Sequence, residues 1–372
     1  MRTLGAFLWR YLLGALFTLT PVTAVLVVGW TQRATARAVA RRWHAQAGNA
    51  DKDFAAFARA SEETSSLAHW PRWIMADDAG ALFAEARRSG PLRAGALVLR
   101  ALFGSLWANA RAGLSALLPI AIVLAPAGLL WLFSWWAGWD NSFNKGYEQA
   151  WVGPTVAFAG IAYFIVTMSL LPFAEVRQAI NNSWRAFFDV AFLRRAAREA
   201  RLGLIGLAVA FVTAGFIVAS LKVVPLGLGN AAATPEEALR WAQAYPLLVA
   251  CVLFPLYVAL RLVAARVYSR AAARLAVKAG TDAFAARERG LLDRLSLGRG
   301  EAPARSGLAR LAIGSRSFAT GLMASAVVFA VWFGLVSEIY VSQFLVHDWT
   351  HWVNHPLVQL PWVGSIFSVP AR

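Results

Sequence analysis

Apolar residues fall in six long runs: 4–30, 113–138, 151–173, 202–224, 245–264 and 318–341. Charged or polar stretches separate them. About twenty apolar residues in helical conformation cross the hydrocarbon core of a bilayer. No segments of about ten residues alternate in hydrophobicity between turns, so the pattern does not describe an outer-membrane barrel. It predicts an all-α integral membrane protein, a bundle of about six transmembrane helices with amphipathic interfacial helices. The first run contains Pro21, so residues 1–30 either form a full N-terminal span or bend there and re-enter. A proline is tolerated inside a membrane helix when neighbours satisfy the carbonyl it frees.

Between the runs the period stays helical but the faces divide. Arg33, Arg37 and Arg41 recur every fourth residue and share one side of a helix. Arg93 and Arg100 lie two turns apart among Leu92, Leu99, Phe103 and Trp107. Both stretches read as amphipathic helices lying on the inner leaflet. The stretch "ASEETSSLAHWPRW" between them reads as a polar loop, and 175–201 mixes arginines with aromatics. Arg33, Arg37, Arg41, Arg93, Arg100, Arg194 and Arg195 are the expected contacts to anionic lipid headgroups. Further on, Thr234, Pro235 and Glu237 have the spacing of a capped helix start, and predict a short outer helix.

Composition sharpens this picture. Hydrophobic residues make up 59% of the 372, which in water would aggregate, and the net charge is +16. Residues 31–112 hold twelve Lys/Arg against seven Asp/Glu, and 174–201 hold six against three; 267–317 are also arginine-rich. Residues 139–150 hold one lysine, 226–244 one arginine, and 342–372 only Arg372. Basic and neutral connections therefore alternate, which orients the basic ones toward the cytoplasm. The expected organisation is an N-terminal membrane helix (1–30), a cytoplasmic amphipathic segment (31–112), a five-helix membrane domain (113–341) with basic connections at 174–201 and 267–317, and an outer interfacial tail (342–372). Membrane segments flank every basic stretch, so lipid phosphate is a nearer anion than nucleic acid. Cys251 is the single cysteine, which excludes an intrachain disulfide and cysteine-based metal motifs.

Candidate chemistry is sparse. His347, His351 and His355 are spaced by four. In a helix that spacing forms a stripe about 12 Å long, so two neighbours can share an ion and all three converge poorly. The spacing resembles the first histidine box of membrane di-iron desaturases and hydroxylases. Those enzymes need about eight histidines, and this chain has five. An amphipathic extension of the last span, with Trp349 and Trp352 opposite the histidines, accounts for the pattern without a metal. Lys222 and Glu338 fall near the outer ends of their runs and are expected to form an ion pair. Arg261 is expected to reach toward cytoplasmic water. Gly206, Ala210 and Ala214 form a stripe of small residues of the kind that lets helices pack closely. Trp131, Trp135, Trp136, Trp139, Trp151, Trp349, Trp352 and Trp362 are expected in an aromatic belt at the outer boundary. No phosphate-binding loop, dinucleotide pattern or nucleophile elbow is present.

Two stretches, "LPFAEVRQAINNSWRAFFDVAFLRR" and "WVNHPLVQLPW", resemble uncharacterised multi-pass bacterial inner-membrane proteins. The resemblance implies a membrane domain and no activity. The sequence thus leads to a non-catalytic accessory, scaffold or assembly subunit of a bacterial inner-membrane complex, with no cofactor, a protein partner or a second copy in the membrane, and its C-terminal tail in the periplasm. A channel or permease for a small solute is the alternative, drawn from prolines inside the spans. A metal-binding enzyme using the histidine stripe comes third.

Overall fold

A computed structural model describes residues 2–49, 52–139, 151–231, 234–298, 319–336 and 354–366. Among these, every regular element is helical. The first apolar run is broken. Helix α1 (Arg2–Phe17) stops before Thr20, whose extended backbone caps α2 (Pro21–His44); its hydroxyl accepts from the Thr23 amide at 3.2 Å. Sixteen residues make a rod about 24 Å long, short of a roughly 30 Å hydrocarbon core. The apolar start of α2 faces protein, with Ala24, Val27, Val28 and Trp30 all buried. Neither helix meets the length and hydropathy of a span, which corrects the expectation of six.

The short helices α3 (Phe54–Arg59), α4 (Glu62–Ser65) and α5 (Ala79–Ala86) follow. Helix α6 (Pro91–Trp139) then runs for 49 residues. It fuses the expected interfacial helix to the second apolar run, so residues 91–112 do not form a separate helix turned into the membrane plane. Helix α7 (Val152–Met168) bends by 44° into α8 (Leu171–Asn181). Asn182 ends α8 in the left-handed region at φ 49°. Then come α9 (Trp184–Phe188), α10 (Val190–Glu199) and α11 (Arg201–Ala231). Helix α12 (Pro235–Ala279) starts at the predicted cap, with Thr234 accepting from the Glu237 amide, and continues unbroken past Pro246 and Pro255. The expected short outer helix is therefore its first turns. Helices α13 (Ala286–Arg294) and α14 (Ala319–Val336) complete the set.

Among the described residues, four helices (α6, α11, α12 and α14) are long and apolar enough to cross a membrane, and the bent pair α7–α8 makes up to five. Large apolar side chains such as Phe158, Val166, Phe216, Leu247, Leu322 and Phe329 point outward from these helices. An exposed apolar surface of this extent is suited to lipid rather than water. The chain is an all-α, membrane-embedded, multi-pass protein.

Helices α2 and α6 approach closely. A side chain at Gly29 would overlap the Asn109 carbonyl, and one at Gly113 would overlap the Val25 carbonyl. Each glycine meets the other helix's backbone, which permits contact no larger residue would allow. Gly206, by contrast, is exposed with open space beside it, while Ala214 is buried. The segment expected as a polar loop is threaded into this crossing. Trp30 stacks on Trp73 at 4.9 Å, and its indole N–H donates to the Pro71 carbonyl. Asn109 donates to the Arg72 carbonyl at 2.9 Å, and the Ala76 amide donates to the Ala101 carbonyl at 3.0 Å. A loop held against helices must have its backbone groups satisfied this way.

Candidate functional site

Helix α8 sits at the centre of the bundle. Every residue from Leu171 through Gln178 is buried, including Glu175, Arg177 and Gln178. Charged groups in such a place require partners, and α8 finds them on three sides.

The first partner is Arg261 of α12, whose Nη1 lies 2.9 Å from Glu175 Oε2. Neither carboxylate oxygen makes a well-directed hydrogen bond, so the contact is a charge pair with imperfect alignment. Arg261 also donates to the Val358 carbonyl at 2.7 Å and lies 4.7 Å from the Tyr257 ring centroid. At 4% exposure it does not reach toward water as expected; the acid opposite and the aromatic beside it hold it inside.

The second partner set surrounds Arg177. Its Nε donates to Glu288 of α13 at 3.2 Å, and its Nη1 donates to Asp189 at 2.8 Å and to the Ala186 carbonyl at 3.3 Å. The guanidinium carbon lies 3.7 Å from the Phe192 ring centroid. Tyr268 of α12 donates its hydroxyl to the other Glu288 oxygen. Burial raises the Glu288 carboxyl above its ordinary range, against the opposing pull of Arg177. At Asp189 desolvation acts upward, but the hydrogen bond from Arg177, the Phe192 amide and the nearby positive charge prevail and lower it. One arginine thus ties α8, α10 and α13 together, and the tyrosine brings in α12.

The third side opens to a cavity of about 180 Å³ between α2, α6, α8 and α13. Gln32, Arg33, Ser115, Gln178, Asn182 and Arg287 contribute to its lining. Gln178 donates to the Ser115 carbonyl at 2.7 Å. Its amide oxygen, that of Gln32 and the Nε of Arg287 are buried without a hydrogen-bond partner among the described residues. Gln32, Gln178 and Arg287 give the cavity polar lining from three helices, which suits a small polar molecule or water.

The sequence-predicted residues distribute as follows. Arg33 donates to Asn109 at 2.7 Å and pairs with Asp77 at 3.0 Å; Arg37 donates to the Leu67 and Ala68 carbonyls. Both face the threaded loop rather than an open headgroup layer. Arg41, Arg100, Arg194 and Arg195 are exposed, and Arg93 pairs with Glu85. Lys222 is 7% exposed on α11, and its expected partner Glu338 lies outside the described residues. His347, His351, Trp349 and Trp352 also lie outside them, as does the side chain of Trp139.

His355 is buried and caps a turn: its Nδ1 accepts from the Leu357 amide at 3.3 Å and its own amide donates to Gln359. Asn354 closes the same turn through both Leu360 backbone groups. This tail packs well along α12, at Tyr257 and Arg261, and the Val363 amide donates to the Thr18 carbonyl at 2.9 Å. Trp131 is 4% exposed and packs on Phe164 inside the bundle, whereas Trp135, Trp136 and Trp151 are exposed and Trp362 half-buried. No cluster of three metal-ligating side chains occurs among the described residues.

In the sequence "EVRQ" merges with the basic stretch it opens, which hides the burial of this polar helix. A usable signal was present: Pro172 opens a helix whose charged residues follow an apolar run directly, with no turn between. No protein-family model matches the chain, and it has no significant match among curated proteins or solved structures.

Proposed function

We propose that the protein is a non-catalytic accessory, scaffold or assembly subunit of a bacterial inner-membrane complex. The observation that carries this reading is the apolar face that the N-terminal part of α6 leaves exposed. At 1.5 Å per residue the helix is about 74 Å long, more than twice the hydrocarbon thickness of about 30 Å. Beyond its apolar half it exposes Leu92, Leu99, Phe103 and Trp107, which fall on one face. The opposite face of the same stretch is packed on α2, α5 and the threaded loop, and the uncovered apolar stripe is suited to a partner helix. The alternation of basic and neutral connections supports a cytoplasmic position for residues 91–112 and a periplasmic one for the C-terminus.

The test is purification of the tagged full-length protein from its native membranes in mild detergent, followed by native gel electrophoresis. Migration with fixed partners is expected. A Phe103→Glu/Trp107→Glu variant should lose those partners while its thermal unfolding is unchanged. A wild-type protein that runs only as a monomer overturns the reading.

A channel or permease for a small solute is the second reading. It draws on the bend between α7 and α8, the Glu175–Arg261 pair inside the bundle, and the cavity with unpartnered amide oxygens at Gln32 and Gln178. Broken helices beside buried charge recur in transporters. Solute flux into proteoliposomes that falls with Gln178→Leu would favour it, and absence of flux for a panel of small polar solutes would remove it.

A further inference from the structure

Two clefts meet at the corner between α10 and α11. One, of about 580 Å³, has five cationic side chains in its lining (Arg198, Arg201, Arg270, Arg274 and Lys278) against one carboxylate, Glu199. The carboxylate is engaged by Lys278 at 2.7 Å, and Arg274 donates to the Glu199 carbonyl at 3.0 Å. Arg198 of α10 and Arg270 of α12 are exposed. The N-terminus of α11 opens into the same space, and its dipole adds to the positive potential. Positive charge is gathered here from the consecutive helices α10 and α11 and from the far half of α12, some seventy residues on.

The second cleft, of about 790 Å³, lies between the end of α7, the start of α11 and α14. Its walls include Val166, Leu204, Val328 and Phe329. Arg198 and Arg201 line both clefts. Arg201 is steadied by donation to Thr320 at the start of α14, at 2.8 Å. Two candidate spans, Arg201–Val224 and Ala319–Val336, begin at this corner. The basic cleft therefore sits at helix ends and the apolar cleft runs back along the spans.

We infer that the pair of clefts is a binding site for an anionic glycerophospholipid, with its phosphate between Arg198, Arg201 and Arg270 and an acyl chain in the apolar cleft. Basic pockets between membrane helices bind acidic headgroups, and here the adjoining apolar wall distinguishes a lipid from a free phosphate ion. This site differs from a general attraction of surface arginines to the inner leaflet, because it has a fixed shape and holds one molecule.

The test uses the full-length protein in detergent, titrated with phosphatidylglycerol or phosphatidylcholine and read by native mass spectrometry, with inorganic phosphate as competitor. Wild type should retain phosphatidylglycerol in preference to phosphatidylcholine. Arg198→Gln/Arg270→Gln should weaken phosphatidylglycerol retention roughly 30-fold, about fivefold for each charge removed. Ala324→Phe, which fills the apolar cleft and leaves every charge in place, should weaken it as well. Equal retention of the two lipids, or unchanged retention by the arginine variant, overturns the site. Displacement by millimolar inorganic phosphate, with Ala324→Phe binding as well as wild type, overturns the lipid assignment in favour of a free anion.

Discussion

Arg177 is the residue on which the interior depends most, and its removal tests the account of α8. The side chain is 2% exposed, and Glu288 is fully buried. Arg177→Met strands the Glu288 carboxylate, which loses its only cationic partner among the described residues and keeps the Tyr268 hydroxyl, and it also removes the arginine from Asp189. Breaking a buried pair by removing one partner costs about 3–5 kcal/mol, so a loss of about 4 kcal/mol is expected. Glu288→Leu is less damaging, because Arg177 keeps Asp189 at 2.8 Å, the Ala186 carbonyl and the Phe192 ring. Its expected cost is about 3 kcal/mol. The double variant leaves no unpaired buried charge, but it orphans the Tyr268 hydroxyl and leaves Asp189 without its arginine, for a total of about 4 kcal/mol. The coupling between the two residues is then about 3 kcal/mol, the upper end of the range for groups in contact. Equilibrium unfolding of the four proteins in mixed micelles with increasing SDS, followed by tryptophan fluorescence, measures it. A double variant that loses the full sum of the singles, about 7 kcal/mol, would refute the network.

Three further outcomes are expected. Gly29→Val and Gly113→Val should each destabilise the protein by at least about 3 kcal/mol, since the added atoms meet backbone rather than a mobile side chain; Gly206→Val, with open space beside it, should cost under about 1 kcal/mol in the same unfolding assay. His44 packs against Phe54 and Phe57, and its pKa is lowered from 6.5 by burial first and then by Lys52, against the opposing effect of Asp53. A depressed histidine contributes stability that is complete above its unfolded value and lost as pH falls through the folded one. Wild type should therefore lose thermal stability between pH 7.5 and 5.5 relative to His44→Phe, and parallel profiles would exclude the effect. His355→Ala should orphan the Leu357 amide and cost about 1–3 kcal/mol, loosening residues 354–366 in hydrogen exchange, whereas His355→Asn supplies an alternative acceptor and should behave nearly as wild type.

Local features were legible in the sequence because they depend on neighbours in the chain. The apolar runs contain helices, Thr234 and Pro235 open α12, and Pro21 marks a break; Asn354 and His355, expected on a helical stripe, instead form a turn. Each follows from backbone chemistry within a few residues. Where helices continued was less legible. Residues 91–112 and 113–138 looked like two elements because their polarity changes, yet polarity records surroundings and not a break in the backbone; Arg111 and Gly113 do not interrupt α6.

Partners across the bundle could not be read from the chain at all. Glu175 meets Arg261, Arg177 meets Glu288, and Gly29 meets Asn109 only because distant helices cross where they do. The same arginine period that predicted a headgroup-facing stripe at Arg33 and Arg37 turned inward, since a threaded loop offered Asp77 and free carbonyls that water or lipid would otherwise have had to supply. Sequence fixes which residues need a partner through burial and charge; the tertiary fold decides whether that partner is solvent, lipid or another helix.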